Sequence, residues 1–286
     1  MLVLEGPWRH EYIITNGIKL HYVTQGEGPL MLMLHGFPEF WYSWRHQIPA
    51  FATRYRVVAL DLRGYNDSDK PHDASSYNMD ELLLDIEGVI QGLGYQRCVL
   101  VGHDWGGAIA WCFAYAHPEM VEKLVVMNIP HPAKFQAGLR TLEQLQRSWY
   151  IFFFQLPWLP EFCLEWADFR AIAAALTETA VNKAAFGLLD IEAYKDAAAK
   201  RGALTAMVNY YRNLLGGVIG QQWGKLAVPT LMLWGEQDTA FGKELTYGTE
   251  DYVPDLRIHY IPNSGHWVQQ EQPQLVNQWL KEFLFQ

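Results

Sequence analysis

A sharp turn around Asp104 is the feature of this sequence best suited to chemistry. An apolar run at 99–101 leads into G-H-D-W-G at 102–106, and a helical pattern begins directly afterwards. Glycines two residues before and two after the central residue let a strand-to-helix turn close and expose the central side chain. The usual central residue is serine, which needs a base, whereas an aspartic acid side chain ordinarily has a pKa of about 4 and is ionised at neutral pH. We therefore predict that Asp104 attacks saturated carbon and forms an alkyl-enzyme ester.

His266 and Asp238 are the residues that best complete a catalytic site with Asp104. Each follows a strand-like apolar run, and His266 stands directly behind a glycine in a turn-like segment. Nucleophile, acid and histidine occur in the chain order of the α/β-hydrolase triad. We predict that Asp238 orients His266, with Glu236 as a less favoured alternative, and that His266 activates water as a general base.

Two backbone N–H groups are candidates for an oxyanion hole. Phe37 lies in H-G-F-P at 35–38, after an early strand-like run, and Trp105 follows the predicted nucleophile. Donors at these positions would stabilise the oxyanion of a tetrahedral intermediate. We interpret His35 as a residue that braces its loop. His103 is interpreted as structural, because a side chain next to such a turn points away from its tip.

Tyrosines occur in two aromatic stretches, at 149–157 and 209–213. From the pattern alone these tyrosines are more typical of core residues, since tyrosine is commonly part-buried with its hydroxyl hydrogen-bonded. The first stretch belongs to a wider aromatic set that predicts an apolar substrate pocket, with core packing accounting for some of its members. The set is Trp149, Phe152, Phe153, Phe154, Trp158, Phe162 and Trp166.

Strand-like and helical patterns alternate along most of the chain. Continuous apolar runs between amphipathic helices, such as 79–93 and 273–285, predict an α/β fold with a mostly parallel, doubly wound sheet. A hairpin around Asn16 and Gly17 adds antiparallel strands at one edge. The predicted strands lie at 12–14, 20–23, 30–34, 57–60, 98–101, 124–127, 230–234 and 257–261.

The alternation stops between residues 131 and 222. This segment has a helical pattern rich in Ala, Phe, Trp and Tyr, without a strand-like run. We predict that 131–222 is a helical cap (lid) domain, inserted after the sixth strand and folded over the carboxyl ends of the strands, where open α/β sheets bind ligands. The α/β core would then comprise residues 1–130 and 223–286.

Composition limits the protein's class and its partners. The chain has 286 residues, half of them hydrophobic, which is enough for one large domain with a sizeable core. Its 22 Lys and Arg against 31 Asp and Glu give a net charge of −9, which argues against nucleic acid and anionic membranes as partners. The first residues show no secretion signal, and no apolar run approaches the roughly 18 residues of a membrane span. We interpret Cys98, Cys112 and Cys163 as reduced core residues of a cytoplasmic protein.

A set of motifs along the chain is shared with one known family. They are H-G-F-P at 35–38, D-L-R-G-Y at 61–65 with D-S-D-K-P at 67–71, the Asp104 turn, F-Q-L-P at 154–157, Y-R-N at 211–213, Asp238 and Gly265-His266. With this combination the sequence resembles the epoxide hydrolases of the α/β-hydrolase superfamily over nearly its full length, and most closely their soluble-type branch. Asn66 departs from the family's usual glycine, but asparagine tolerates left-handed geometry, so we expect the loop to keep its shape.

The resemblance implies a reaction, its participants and a role in detoxification. An epoxide is opened to a vicinal diol, and two cap tyrosines, here Tyr150 and Tyr211, hold and protonate the epoxide oxygen, with Tyr210 as a mere neighbour. The expected partners are a small apolar epoxide and water, without metal or cofactor, and the expected state is a monomer or homodimer. The residues expected to contact the substrate are Phe37, Trp105, Phe154 and Trp267.

Other functions remain open but are less favoured. A haloalkane or haloacid dehalogenase has the same aspartate nucleophile, and Trp105 suits halide binding, but Phe37 stands where haloalkane dehalogenases often have asparagine. Haloacid-type relatives have an arginine pair after the nucleophile, and 105–111 contains no arginine. An ester hydrolase would need a serine at 104. A non-catalytic ligand receptor is disfavoured because such proteins typically lose a triad member, and here all are present.

Overall fold

The computed structural model describes residues 4–217 and 221–286. Two sequence predictions extend beyond this part of the chain. The prediction that the amino terminus lacks a secretion signal concerns a stretch that includes residues 1–3, and the predicted cap includes residues 218–220. Both sets lie outside the described residues.

Within the described residues, eight strands form one sheet in the order β1-β2-β4-β3-β5-β6-β7-β8. Strands β3 to β8 are mutually parallel, whereas β1 and β2 are antiparallel at one edge. All eight predicted strands are present, and the predicted α/β fold is confirmed. The strands are β1 (Arg9–Thr15), β2 (Ile18–Gln25), β3 (Leu30–Leu34), β4 (Arg56–Leu60), β5 (Cys98–His103), β6 (Val121–Met127), β7 (Thr230–Gly235) and β8 (Leu256–Ile261).

Local sequence explains both the buried strands and the edge hairpin. Every residue of β3, β5 and β7 is buried, as expected for parallel strands covered on both faces. Between β1 and β2, Asn16 and Gly17 both have positive φ, which asparagine and glycine tolerate and which a two-residue hairpin turn requires.

Helices cover the sheet and fill the interval between β6 and β7. Six of them, α4 to α9, lie in that interval, where the sequence predicts a helical insertion. The helices are α1 (Ile48–Phe51), α2 (Met79–Gly92), α3 (Asp104–Ala116), α4 (Pro132–Gly138), α5 (Leu142–Arg147), α6 (Trp149–Phe153), α7 (Leu159–Thr179), α8 (Leu188–Ala198), α9 (Ala203–Gly217), α10 (Val268–Glu271) and α11 (Pro273–Leu284). In the described parts of the chain, no helix is both long enough and apolar enough to cross a membrane.

The cysteines differ in their surroundings. Cys98 and Cys112 are buried and free, as predicted. Cys163 is free but exposed on α7, so its assignment to the core is wrong. The error has a physical cause, because the helical pattern around 163 is apolar on more than one face and does not reveal which face is buried.

The loop after β4 accommodates its unusual asparagine as expected. Asn66 has a φ of 38° and is buried, and its side-chain amide donates to Asp61 Oδ2 at 2.7 Å. Asp61 also accepts from His21 Nδ1 at 2.6 Å and from the Trp41 N–H at 2.9 Å. The left-handed backbone is therefore adopted by a residue whose side chain also stabilises the loop.

Candidate active site

The turn between β5 and α3 exposes Asp104 at the carboxyl edge of the sheet. Asp104 has a φ of 48°, in the left-handed region that non-glycine residues rarely adopt. A Cβ on Gly102 would lie 2.4 Å from the Gly106 carbonyl oxygen, and one on Gly106 would lie 2.2 Å from the Leu34 carbonyl oxygen. Both positions therefore require glycine, which is the steric reason for the glycine spacing in the sequence.

One oxygen of the Asp104 carboxylate is held by the loop after β3. The Phe37 N–H donates to Asp104 Oδ1 at 2.8 Å. Gly36 packs tightly there, since a Cβ on it would lie 2.4 Å from Asp104 Cβ. The second oxygen, Oδ2, lies 3.5 Å from His266 Nε2. The two carboxylate oxygens thus have different partners.

His266 is oriented by Asp238, which follows β7. His266 Nδ1 lies 2.9 Å from Asp238 Oδ2, and Asp238 Oδ1 accepts from the N–H groups of Ala240 and Phe241. An ionised carboxylate only accepts hydrogen bonds, so Nδ1 carries the proton and Nε2 faces Asp104. Glu236, the alternative acid, instead pairs with Lys243 at 2.5 Å.

The charges around His266 determine its protonation. Burial favours the neutral ring, but the carboxylates of Asp238 and Asp104 outweigh burial and hold the pKa of His266 well above 6.5. The pKa of Asp238 is lowered, because His266 and the hydrogen-bond donors outweigh burial there too. The two carboxylates therefore favour the protonated form of His266.

Asn128 and Glu39 support the site although sequence reasoning did not select them. Asn128 follows β6 and donates to Asp238 Oδ2 at 2.6 Å. Glu39 accepts from the Gly36 N–H at 3.0 Å and lies 2.7 Å from His103 Nδ1, and His103 Nε2 donates to the backbone oxygen of His266 at 2.8 Å. A partial signal was available in the sequence, because Asn128 directly follows a continuous apolar strand and Glu39 lies in the loop after another.

The two histidines interpreted as structural have partners consistent with that interpretation. His103 connects Glu39 to the His266 loop, as described above. His35 Nε2 accepts from the Leu62 N–H at 3.1 Å, and its Nδ1 lies 2.9 Å from the Gly36 carbonyl oxygen. His35 thus braces the loop that carries Phe37.

The buried Glu39 predicts a specific dependence of stability on pH. Burial raises the pKa of Glu39, but the contact with His103 and the N–H donors lower it by more. The net result is a pKa of about 2, below the usual 4.5. Since this value lies below the 4.5 of the unfolded chain, the stabilisation is complete above pH 4.5 and is lost as the pH falls toward 2. We expect the free energy of unfolding of the native chain to fall by about 1 kcal/mol more than that of Glu39→Gln between roughly pH 5.5 and 3.5.

Urea unfolding at the two pH values measures this difference. The exposed Glu119 provides the matched control, because Glu119→Gln should keep the pH dependence of the native chain. Equal pH dependence in the native chain and in Glu39→Gln would contradict the prediction.

Two phenols lie across a cavity from Asp104. Asp104, Trp105, Tyr150 and Tyr211 line the cavity together with mostly apolar side chains. Tyr150 comes from α6 and Tyr211 from α9, and their ring centroids are 5.8 Å apart. The Tyr210 hydroxyl instead donates to the Arg63 carbonyl oxygen at 2.7 Å, away from the cavity.

Both cavity tyrosines are held in the neutral form. Burial raises the pKa of Tyr150 and that of Tyr211 well above 10, and the negative charge of Asp104 adds to the effect. The Tyr211 ring also packs edge-on against Trp105, Phe154 and Phe37, with centroids 4.8–5.4 Å apart. A neutral phenol held rigidly over a carboxylate can donate a proton to an oxygen between them.

Several aromatic residues predicted to form the substrate pocket do not line this cavity. Trp149, Phe152, Trp158, Phe162 and Trp166 are exposed, so the prediction that they surround the substrate is wrong. Among the residues expected to contact substrate, Phe37 and Phe154 pack on Tyr211, and Trp105 lines the cavity.

Trp267 does not line the cavity either. Its indole N–H donates to Thr179 Oγ1 at 2.8 Å, and its ring packs edge-on against His266 with centroids 4.8 Å apart. The side chain therefore supports the His266 ring from the side away from the cavity. Residues of the cavity wall that sequence reasoning missed include Cys112, Ile129 and Phe241, whose apolar character carries no signal that separates them from the core.

Comparisons with known proteins agree with this geometry. Residues 29–273 match the family model of the α/β-hydrolase fold. The chain is 45% identical over 277 residues to epoxide hydrolase 4 of Mus musculus. The aligned region covers 94% of this chain and 77% of the mouse protein. This chain is 41% identical over 279 residues to the AB hydrolase superfamily protein YfhM of Bacillus subtilis, covering 96% and 97% of the two chains. A crystal structure of Bacillus megaterium epoxide hydrolase with an inhibitor superposes with a TM-score of 0.91 at 40% identity, covering 96% of this chain and all of that one.

Proposed function

Since this chain belongs to the epoxide hydrolases of the α/β-hydrolase fold family, we propose that it opens apolar epoxides through a covalent ester on Asp104. The observation that carries the proposal is the cavity itself, in which a carboxylate faces two neutral phenols. A carboxylate attacks carbon, and phenols protonate the alkoxide that forms when the ring opens. A halide ion needs no proton on leaving, so the phenols favour an epoxide over a haloalkane.

In the first step, Asp104 Oδ2 attacks a ring carbon of the epoxide. The C–O bond to that carbon breaks, and its electron pair goes to the epoxide oxygen. Tyr150 and Tyr211 hydrogen-bond this oxygen, and one of them transfers its proton to it. The Phe37 N–H on Oδ1 supports the choice of Oδ2 as the attacking atom, because Oδ1 is already held.

Forming the ester changes the role of His266. The ester has no charge, so one of the two carboxylates that raise the pKa of His266 is lost. His266 then loses its proton more readily, which returns the phenolate to its neutral form through the cavity. Its free Nε2, with Nδ1 held by Asp238, becomes a base for water.

In the second step, water attacks the ester carbonyl carbon of Asp104. His266 accepts the proton of the water, and the Phe37 and Trp105 N–H groups stabilise the oxyanion. The bond between Cγ and the substrate-bearing oxygen then breaks, and His266 returns the proton to that oxygen. A vicinal diol leaves, and the second proton of the water, still on the Asp104 carboxyl, passes to His266, so that Asp104 is a carboxylate again and His266 is protonated again.

We propose that residues 131–222 form the cap and that residues 1–130 and 223–286 form the core. The division is supported by the origin of the catalytic groups, because the helical insertion between β6 and β7 supplies both phenols. The remainder of the chain supplies Asp104, His266 and Asp238. Substrate would then bind between the two parts. The cytoplasmic location, the role in detoxification and the choice between monomer and homodimer stay predictions.

A single turnover in ¹⁸O-labelled water tests the ester directly. Enzyme prepared in ordinary water and used in excess over styrene oxide should first release unlabelled diol, because the new oxygen comes from Asp104. The label should instead appear in the Asp104 carboxylate, as read by mass spectrometry of the peptide.

Label in the first diol would instead mean direct attack of water on the epoxide. Parallel incubations with a short chloroalkane and an aryl ester test the competing reactions. Halide or phenol release without diol formation would refute the epoxide assignment.

A further inference from the structure

Helix α7 presents large aromatic residues to solvent in addition to polar ones such as Glu165 and Arg170. Trp158, Phe162 and Trp166 are exposed at four-residue spacing. Trp158 lies directly before the helix, Phe162 lies within its first turns, and the backbone leaves the helical conformation between Trp166 and Phe169. Pro160 and Leu164, offset by two residues, are buried on the opposite face. A surface helix normally has a polar outer face, and one that is apolar on both faces needs a second apolar environment.

Helix α6, which precedes α7 in the chain, also exposes aromatic side chains. Trp149 and Phe152 are exposed, while Ile151 is buried and Tyr150 lines the cavity beside it. We call Trp149, Phe152, Trp158, Phe162 and Trp166 the aromatic face. Their side chains are between 49 and 71% exposed. At about 200 Å² for each ring, the aromatic face exposes about 600 Å² of apolar surface, the upper end for a monomeric protein.

Charge and area identify what this surface fits. A second copy would carry the same net charge of −9 and be repelled, and a standard interface needs about 800 Å² from each partner. The same net charge disfavours an anionic bilayer. Two acids beside the aromatic face are neutralised locally, since Glu161 pairs with Arg212 at 2.8 Å and Asp168 pairs with Lys195, while a third, Glu165, is exposed next to Trp166.

We propose that the aromatic face docks on a zwitterionic lipid surface. Tryptophan suits the boundary between headgroups and acyl chains, because its ring is apolar and its N–H still finds a hydrogen-bond acceptor there. Helix α6 then lies between the bilayer and the cavity, with Trp149 and Phe152 on the lipid side and Tyr150 on the other. Apolar epoxides dissolved in lipid would reach the cavity without crossing water, a consequence that rests on the proposed function.

Flotation with phosphatidylcholine vesicles tests the docking independently of catalysis. We expect the native chain to float with the vesicles and the triple variant Trp149→Ser, Phe162→Ser, Trp166→Ser to lose at least ten-fold in lipid partition. These side chains are exposed, so the variant should keep its melting temperature. The matched control replaces three exposed apolar residues elsewhere, Ile14→Ser, Leu84→Ser and Tyr247→Ser, and should float like the native chain.

Several results would overturn the proposal. One is that the native chain does not float, and another is that the triple variant floats as well as the native chain. Flotation only with vesicles of anionic lipid would also contradict it. So would a dimer of the native chain in sedimentation that is lost in the triple variant. An activity measurement separates this proposal from the proposed function. The triple variant should hydrolyse water-soluble styrene oxide at the native rate but a long-chain epoxide embedded in vesicles at least ten-fold more slowly. If no epoxide is hydrolysed while flotation still depends on the aromatic face, the proposed function fails and the docking stands.

Discussion

Replacing His266 with glutamine should trap the enzyme as an ester on Asp104. Ring opening needs only the carboxylate and the phenols, whereas ester hydrolysis needs a base at Nε2, whose loss costs about 10² to 10⁴ in rate. After incubation with styrene oxide, the mass of the intact variant should therefore increase by the mass of one epoxide. Peptide mapping should locate the added mass on Asp104, and steady-state diol formation should fall by about 10²- to 10⁴-fold.

Two further variants make this result specific. The double variant Asp104→Ala, His266→Gln should gain no mass, because the nucleophile is missing. His117→Gln, which changes a histidine at the far end of α3, should turn over at the native rate without accumulating ester. Steady diol release by His266→Gln, or added mass on another residue, would contradict the assignment of His266 as the base in the second step.

The arrangement around Asp104 was predictable because local sterics determine it. Neither Gly102 nor Gly106 has space for a Cβ, and the apolar run before them is long enough only for a buried strand. The order of the parallel strands then brings the residues that follow β3, β5, β7 and β8 to one edge. For that reason, chain order and strand ends were enough to select Asp104, Asp238 and His266.

The helical insertion was less predictable because helical spacing alone does not identify the buried face. Phe162 and Leu164 are both apolar, yet one faces solvent and the other packs inward. Trp267 was expected at the substrate, but its position depends on a hydrogen bond to Thr179 on α7, a contact between distant segments. Sequence patterns describe local periodicity, and these outcomes depend on how the insertion packs on the sheet.

Supporting residues after the strands form an intermediate case. Asn128 has a φ of 46° and fixes Asp238, and Glu39 joins the Phe37 loop to the His266 loop through His103. Their positions after apolar strands place them at the correct edge of the sheet. Their partners were not predictable, because those depend on which loops curve toward each other.

Removing both cavity phenols should abolish ring opening almost completely. Without Tyr150 and Tyr211 the epoxide oxygen would have to leave as a bare alkoxide in an apolar cavity, and a positioned acid contributes about 10² to 10⁴ in rate. We expect Tyr150→Phe and Tyr211→Phe each to lower kcat/KM for styrene oxide by about 10- to 100-fold and the double variant to lower it by about 10⁴-fold. Stopped-flow measurement of ester formation should show the loss in the first step, while the hydrolysis rate of ester already formed should change little.

Tyr210 provides the control that separates proton donation from packing. It neighbours Tyr211 in sequence and is equally buried, but its hydroxyl donates to the Arg63 carbonyl oxygen. Tyr210→Phe should therefore cost about 1 kcal/mol of stability for the lost hydrogen bond and leave ring opening within a few-fold of native. If Tyr210→Phe stopped ring opening while Tyr211→Phe did not, Tyr210 and not Tyr211 would be the proton donor. A double Tyr150→Phe, Tyr211→Phe variant with native rates would instead mean that water protonates the oxygen, since the described cavity offers no third phenol on its wall.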